Sequence, residues 1–219
     1  MTKLLAGLPG FVATAELLVD DASEPSLLPD EEALLSVRAV ESRRRNFALG
    51  RTAARRALAE LDVDPVPILR GRAGEPLWPP GVVGSITHAS GHALAAVAFS
   101  HETGGIGIDL EHRDRFFPEL AENVAFGEEL RRLGALDVDH GIRATLEVFS
   151  AKESIYKAFY PRVGRFFGFA AARVEPRAGY GYEGRLVEAL DTDYPFDRTF
   201  SIGCSWHGEL VLTALVLAP

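Results

Sequence analysis

A single cysteine, Cys204, stands among 219 residues. One thiol can form neither an intramolecular disulfide nor a cysteine-based zinc site, which points to a reducing compartment. Positive charge is also short. Against 31 Asp and Glu there are 23 Lys and Arg, leaving a net charge of −8. An acidic chain lacks the basic footprint that nucleic-acid binding needs. No apolar run reaches the ~18–20 residues of a membrane span. There is no G-x-S-x-G elbow, no H-E-x-x-H and no G-x-G-x-x-G opening a helix after a strand. Serine-hydrolase, zinc-protease and dinucleotide-binding readings therefore find no support. Residues 1–15, with Lys3, an apolar stretch and Ala13-x-Ala15, have the outline of a short secretory signal. A lone Lys and the interrupting Pro9-Gly10 favour a first strand with a turn in it.

Apolar residues make up 47% of the chain, enough for one large core or two small ones. Residues 16–34 are acidic and read as a loop leading to a helix start near Pro29-Asp30. A helical pattern runs from about Glu32 to Leu61, broken near Val40–Arg43, with Phe47, Ala54, Leu58 and Leu61 on one face. Pro65-Val66-Pro67 ends it. Turn-rich loops at 71–76 and 78–81 precede three strand-like runs at hairpin spacing, 82–87, 93–99 and 106–110. Residues 117–160 read as helical, with interruptions near Gly127 and 134–141. Strands follow at 171–174, 184–190, 199–205 and 210–217. Helix then hairpin comes twice. Ser85-Ile86, Gly91-His92 and residues 94–97 faintly parallel Ser201-Ile202, His207-Gly208 and residues 210–212. The expectation is a two-lobed α+β molecule with a cleft between lobes.

Four local features bear on chemistry. In Gly105-Ile106-Gly107-Ile108-Asp109-Leu110-Glu111, strand alternation sends Ile106, Ile108 and Leu110 to one face and Asp109 with Glu111 to the other. Their Cα atoms lie ~6.6 Å apart, close enough for two carboxylates to ligate one hard cation such as Mg²⁺. Gly105 and Gly107 would leave that face open to a ligand. The alternative is a strand leaving the core with solvated acids. In residues 149–158, Glu153 and Lys157 are one helical turn apart. Val148, Ile155 and Phe159 make one apolar face, and Leu146, Phe149 and Tyr156 another. A helix apolar on two sides is buried between layers, which would put Glu153 and Lys157 at an internal boundary; the alternative is an ordinary surface i,i+4 salt bridge.

Residues 38–56 hold seven arginines and one acid, Glu41. Arg43 and Arg51 flank the Phe47–Ala54 face, where they either clamp phosphate or join the solvated basic face of Arg44, Arg45 and Arg56. Arg70 and Arg72, in a Gly-rich loop that is not a Walker A sequence, add to an anion site. Thr87 and His88, at a strand end, are further candidates for phosphate oxygens.

Taken in order, these features resemble the 4′-phosphopantetheinyl transferases, most closely the surfactin-synthetase and enterobactin-component-D type. The run is an Arg-rich helix, a Gly-Glu-Pro loop, Gly-Ser-Ile-Thr-His-Ala, Gly-Ile-Asp-Leu-Glu and Phe-Ser-Ala-Lys-Glu-Ser-x-x-Lys-Ala. The resemblance extends from about Arg38 to residues 210–214. It implies a monomeric pseudodimer of two similar lobes, each a helix on a small, mainly antiparallel sheet, divided here as 1–110 and 111–219. Coenzyme A would lie between the lobes. The implied reaction moves phosphopantetheine to a serine of an acyl or peptidyl carrier protein and releases adenosine 3′,5′-bisphosphate. By motif position Asp109 and Glu111 resemble magnesium ligands, with manganese as the alternative ion. Glu153 resembles a third ligand or the general base, and Lys157 a phosphate contact. Arg43, Arg51, Arg70, Gly71, Arg72, Ala73, Thr87 and His88 resemble the nucleotide and phosphate grips.

Three departures are visible. Phe149 stands where many relatives have Trp. No Lys lies near Ala73, where Arg72 would substitute. Glu128 and Glu129 lie where some relatives place a further acid. Arg162, Arg165, Phe166 and Phe167 form a basic, apolar stretch suited to an acidic carrier helix, or else a core-seeking loop. The expected enzyme is cytoplasmic, with no nucleic-acid or membrane partner. Two other readings share these residues: a metal-dependent phosphohydrolase or nuclease, and a non-catalytic module that binds coenzyme A or carrier proteins.

Overall fold

The computed structural model describes residues 8–19, 25–178, 181–190 and 198–219. The chain forms two compact units, one reaching to Ile106 and the other covering Gly107–Leu217. The contact boundary thus falls four residues before the expected position 110. It leaves Asp109, Glu111, Glu153 and Lys157 all in the second unit.

The first unit contains β1 (Ala13–Leu18), α1 (Pro29–Glu32), α2 (Glu41–Ala59), β2 (Leu69–Arg70), β3 (Pro76–Leu77), β4 (Val82–Ala89) and β5 (His92–Phe99). Strands order as β1-β5-β4, antiparallel throughout, and β2 pairs with β3. Helix α2 packs on β1, β4 and β5. Its buried side is rich in small residues, Ala48, Ala53, Ala54 and Ala57, with Leu49 and Leu58 filling the gaps. Small side chains let a helix lie close to a sheet. The break expected near Val40–Arg43 lies earlier and is wider. Residues 33–40 are not α-helical, and α2 begins at Glu41. Arg44 holds this segment by donating from Nη2 to the Ser36 carbonyl at 3.1 Å. Between β4 and β5 the turn residues Ser90 and Gly91 have φ of 46° and 80°. That pair of positive angles closes a two-residue hairpin whose twist suits the flanking strands. The Ala13-x-Ala15 site of the signal-like outline is folded into β1, where Ala13 pairs with Val97 and Ala15 with Ala95. Residues 1–7 lie outside the described residues.

The second unit is built on β6 (Gly105–His112), α3 (Leu120–Val124), α4 (Glu128–Gly134), α5 (Val138–Val163), β7 (Ala172–Pro176), β8 (Tyr182–Leu186), β9 (Thr199–His207) and β10 (Leu210–Leu217). The sheet order is β6-β10-β9-β8-β7. The run at 106–110 therefore does not continue the β4–β5 hairpin, as its spacing suggested. It joins β10 instead. Spacing identifies a strand but not its neighbour. Helix α5 starts at Asp137, whose side chain accepts from His140 N at 3.2 Å, and ends at Gly164 in the left-handed region. These are ordinary cap devices. Pro161 lies inside the last turn rather than ending the helix. Leu146, Val148, Ile155 and Phe159 of α5 are buried in one cluster with Val174, Ile202, Val211 and Leu215 of the sheet.

Each unit carries the same polar device. In the first, Glu31 is fully buried. It accepts from the amides of Leu28 and Ile68, both at 2.9 Å, and pairs with Arg55 of α2. In the second, buried Glu129 accepts from the amides of Phe126 at 3.0 Å and Val174 at 2.8 Å, and pairs with Lys152 of α5. An acid thus binds the amide three residues before it, an amide beyond the long helix, and a cation on that helix. The internal repeat read faintly in the hairpins recurs here in hydrogen bonds. Both units are a long helix on an antiparallel sheet, the α+β arrangement expected from the sequence.

Candidate functional site

The acidic cluster is assembled on β6 and α5. Alternation on β6 places Gly107, Asp109 and Glu111 on one face, and that face meets α5. A Cβ built on Gly107 would lie 1.8 Å from the Ser154 carbonyl oxygen. The missing side chain of Gly107 is therefore needed for helix α5 to touch the strand. The expectation that it opens the face to a ligand is corrected accordingly. With the helix this close, Lys157 Nζ donates to Asp109 Oδ1 at 2.7 Å and to the Ile108 carbonyl at 3.1 Å. Asp109 is only 3% exposed, so it is no solvated strand-end acid.

Glu111 and Glu153 are half-buried beside this pair. Burial, followed by the charge of Asp109, raises the Glu111 carboxyl to about 7; Glu153 raises it further, while Arg115 and Lys157 oppose. Burial also raises Glu153, with Lys157 and Arg115 opposing and Asp109 reinforcing. Asp109 thus adds to the rise at both neighbours, and Glu153 adds to that at Glu111. As the side chains are placed, no group of three His, Cys, Asp or Glu among the described residues stands close enough to hold a metal ion. The donor chemistry nevertheless fits one. Hard oxygens at a shared, like-charged, partly dry locus suit a divalent cation, which relieves the repulsion between them.

Arg115 is a member of this cluster that sequence reasoning missed. It lies in the 3₁₀ turn at Arg113–Arg115, and its guanidinium stands 5.8 Å from the Phe149 ring. Its position four residues after Glu111 was the available signal. Glu128 and Glu129 do not join the site. Glu129 is committed to Lys152 and two amides, and exposed Glu128 pairs with Arg131.

The basic candidates lie in the first unit. Arg43 and Arg70, with Arg38 and Phe47, line a cavity of about 500 Å³. Arg51 is buried, stacks 4.4 Å over the Phe47 ring and donates to the Leu69 carbonyl at 3.4 Å. Its Nε is buried without a hydrogen-bond partner. Burial pulls its guanidinium down to about 10; Arg70 and Arg55 add to that, and Glu31 opposes. A buried, under-bonded cation beside other arginines is a strong anion ligand.

In the loop between β2 and β3, Glu75 takes the space a Cβ on Gly71 would fill and accepts from the Ala73 amide at 2.9 Å. Arg70 lies against Gly74, whose φ is +98°. Arg72 is exposed. Thr87 is buried and His88 exposed on β4, so these neighbours face opposite sides of the strand and do not present together. At the end of α5 Arg162 is exposed, as are Arg165 and Phe166 (77%) beyond it, while Phe167 is buried 4.9 Å from the Tyr156 ring. The stretch is part surface, part core.

Two family models match the chain. The 4′-phosphopantetheinyl transferase N-terminal domain covers residues 30–98, and the 4′-phosphopantetheinyl transferase superfamily model covers residues 105–211. The chain is 40% identical to 4′-phosphopantetheinyl transferase Npt of Nocardia iowensis, over 76% of this chain and 73% of that one. Identity is 39% to 4′-phosphopantetheinyl transferase Svp of Streptomyces mobaraensis, over 80% and 73%. It is 36% to 4′-phosphopantetheinyl transferase PptT of Mycobacterium tuberculosis, over 94% and 92%. With its acidic cluster inside one matched segment and its arginine cavity inside the other, the chain belongs to the 4′-phosphopantetheinyl transferase superfamily.

Proposed function

We propose that the protein moves 4′-phosphopantetheine from coenzyme A to a serine of an apo carrier protein, acyl or peptidyl, in the manner of a holo-[acyl-carrier-protein] synthase, with Mg²⁺ or Mn²⁺ required. The observation that carries this reading is the Asp109–Lys157 pair flanked by Glu111 and Glu153, whose carboxyls are raised. Asp109 and Glu111 would hold the ion, with Glu153 either a third ligand or the general base. A divalent ion there supplies charge neutralisation to the diphosphate of coenzyme A.

Phosphoryl transfer needs placement and charge stabilisation more than covalent help. The arginines of the first unit, Arg43, Arg51 and Arg70, supply cations for the nucleotide phosphates, with the loop Gly71-Arg72-Ala73 and one of the two opposed β4 residues, Thr87 or His88, as further contacts. The carrier serine oxygen attacks the pantetheine-side phosphorus. The phosphorus–oxygen bond to the nucleotide breaks, and adenosine 3′,5′-bisphosphate leaves with the bridging oxygen. With Glu153 as the base, the serine proton passes to it, a carboxylate that burial makes more basic than an ordinary one. Lys157, anchored by Asp109, neutralises the departing phosphate. Exposed Phe166 with Arg162 and Arg165 is the proposed surface for an acidic carrier helix. The protein is proposed to act as a monomer in the cytoplasm, with neither nucleic acid nor membrane as partner. Among the described residues no helix is long and apolar enough to cross a membrane.

Chromatography of the nucleotide product tests the reading. Adenosine 3′,5′-bisphosphate should appear in step with holo carrier and only when carrier is present. Its release without carrier points to a hydrolase, and coenzyme A binding without release points to a binding module.

A further inference from the structure

Ser150 and Ser154 lie one turn apart on α5, opposite Thr213 of β10, and all three are fully buried. Ser150 Oγ is 3.2 Å from the Asp109 carbonyl oxygen and 2.9 Å from Thr213 Oγ1. Ser154 Oγ is 2.7 Å from Thr213 Oγ1 and 3.2 Å from the Thr213 carbonyl. Each hydroxyl owns a single proton, and a carbonyl only accepts. Ser150 donates to the Asp109 carbonyl. Its oxygen is then free to accept from Thr213. With the Thr213 proton spent on Ser150, the shortest contact is Ser154 donating to Thr213. The longer approach of Ser154 to the Thr213 carbonyl is the minor arm of a shared bond. Four contacts share three protons, and the order that bonds the Asp109 carbonyl runs Ser154 to Thr213 to Ser150 to that carbonyl.

This chain ends one carbonyl away from the Ile108 oxygen that Lys157 holds. Two successive carbonyls of β6 are thus tied to α5, with the Asp109 side chain between them. We infer that Ser150, Thr213 and Ser154 are positioning residues: their chain of hydroxyl contacts fixes the Asp109 peptide, and so the carboxylate that Lys157 engages. The inference rests on the proposed role of Asp109 at the reacting site. Burial of three hydroxyls in an otherwise apolar helix–sheet contact is costly unless they are fully bonded. Packing alone would be served by Ala and Val.

Thr213→Val keeps the shape and deletes the link, while Thr213→Ser keeps the hydroxyl. In Thr213→Val, kcat should fall about ten-fold through misplacement of the reacting groups, with KM for coenzyme A within about two-fold. Thr213→Ser should restore kcat to within about two-fold of wild type. Exchange of the Leu110 amide, whose peptide includes the Asp109 carbonyl, should quicken about ten-fold relative to the Leu215 amide in Thr213→Val but not in Thr213→Ser. Ser150→Ala should shift both readouts the same way, and decides the matter if Thr213→Val does not fold. Wild-type kcat and exchange in the hydroxyl-deleted proteins, or a Thr213→Ser protein as impaired as Thr213→Val, overturns the inference. A wild-type protein that transfers nothing contradicts the transferase reading instead, and the exchange comparison still decides the hydroxyl chain.

Discussion

Lys152 and Glu129 meet at 2.8 Å with their side chains 1% and 2% exposed. The Lys152 ammonium also donates to the carbonyls of Val124 at 2.7 Å and Phe169 at 3.2 Å. Burial lowers its pKa while Glu129 opposes. Removing one member of such a pair leaves an uncompensated buried charge. Lys152→Met should cost about 3–5 kcal/mol in urea unfolding. Arg131→Ala, which breaks an exposed pair with Glu128, should change stability by less than about 1 kcal/mol. Equal costs would mean that the buried pair does not hold the second unit together.

Asp109→Asn keeps the shape of the side chain but removes the charge that holds Lys157. Transfer should fall by about 10²–10³-fold, the scale seen when a stabilising group is lost, with KM for coenzyme A little changed. Steady-state kinetics on a purified, folded variant checks this. A change confined to KM would place Asp109 in binding alone.

The close approach at Gly107 gives a third expectation. Gly107→Ala forces a methyl into the Ser154 carbonyl, and overpacking of this kind costs about 1–3 kcal/mol. Gly168→Ala, with no atom within 4 Å of the new Cβ and a φ of −88°, should be near neutral. Thermal unfolding of the two variants separates a packing glycine from a spare one.

The raised carboxyls set a pH dependence. A folded-state pKa of about 7 for Glu111, against an ordinary 4.5, means that the unfolded chain ionises first. Between pH 4.5 and 7 the folded protein binds more protons, so metal-free stability falls as pH rises through that window. Glu153 shifts in the same direction. A divalent ion competes with those protons, so the increase in Tm on adding Mg²⁺ should be larger at pH 8 than at pH 6. The same increase at both values would separate the ion from these acids.

Much of this site was legible in the sequence because its parts obey local rules. Period-two alternation put Asp109 and Glu111 on one face, and period 3.6 put Glu153 and Lys157 on an inner boundary of α5. What stayed hidden depended on contacts between distant segments. Lys152 reads as one more charged helix residue until Glu129, 23 residues earlier, is seen against it. Gly107 reads as an opening until α5 fills it. The strand at 105–112 reads as a third hairpin arm because spacing is silent about β10. Arg115 was within reach, four residues after Glu111, but a lone Arg in a turn gives no sign of what it faces. Arg51 was expected to grip phosphate from its place beside the apolar face of α2, whereas its buried, unpartnered Nε needed coordinates.

The most direct measurement is the intact mass of apo acyl and peptidyl carrier proteins after incubation with enzyme, coenzyme A and Mg²⁺. Wild-type protein should add ~340 Da to the carrier by phosphoryl transfer, and chelation of the metal or the Glu153→Gln substitution should abolish the addition. A carrier that gains this mass equally well with Glu153→Gln, or without a divalent ion, would contradict the site described on β6 and α5.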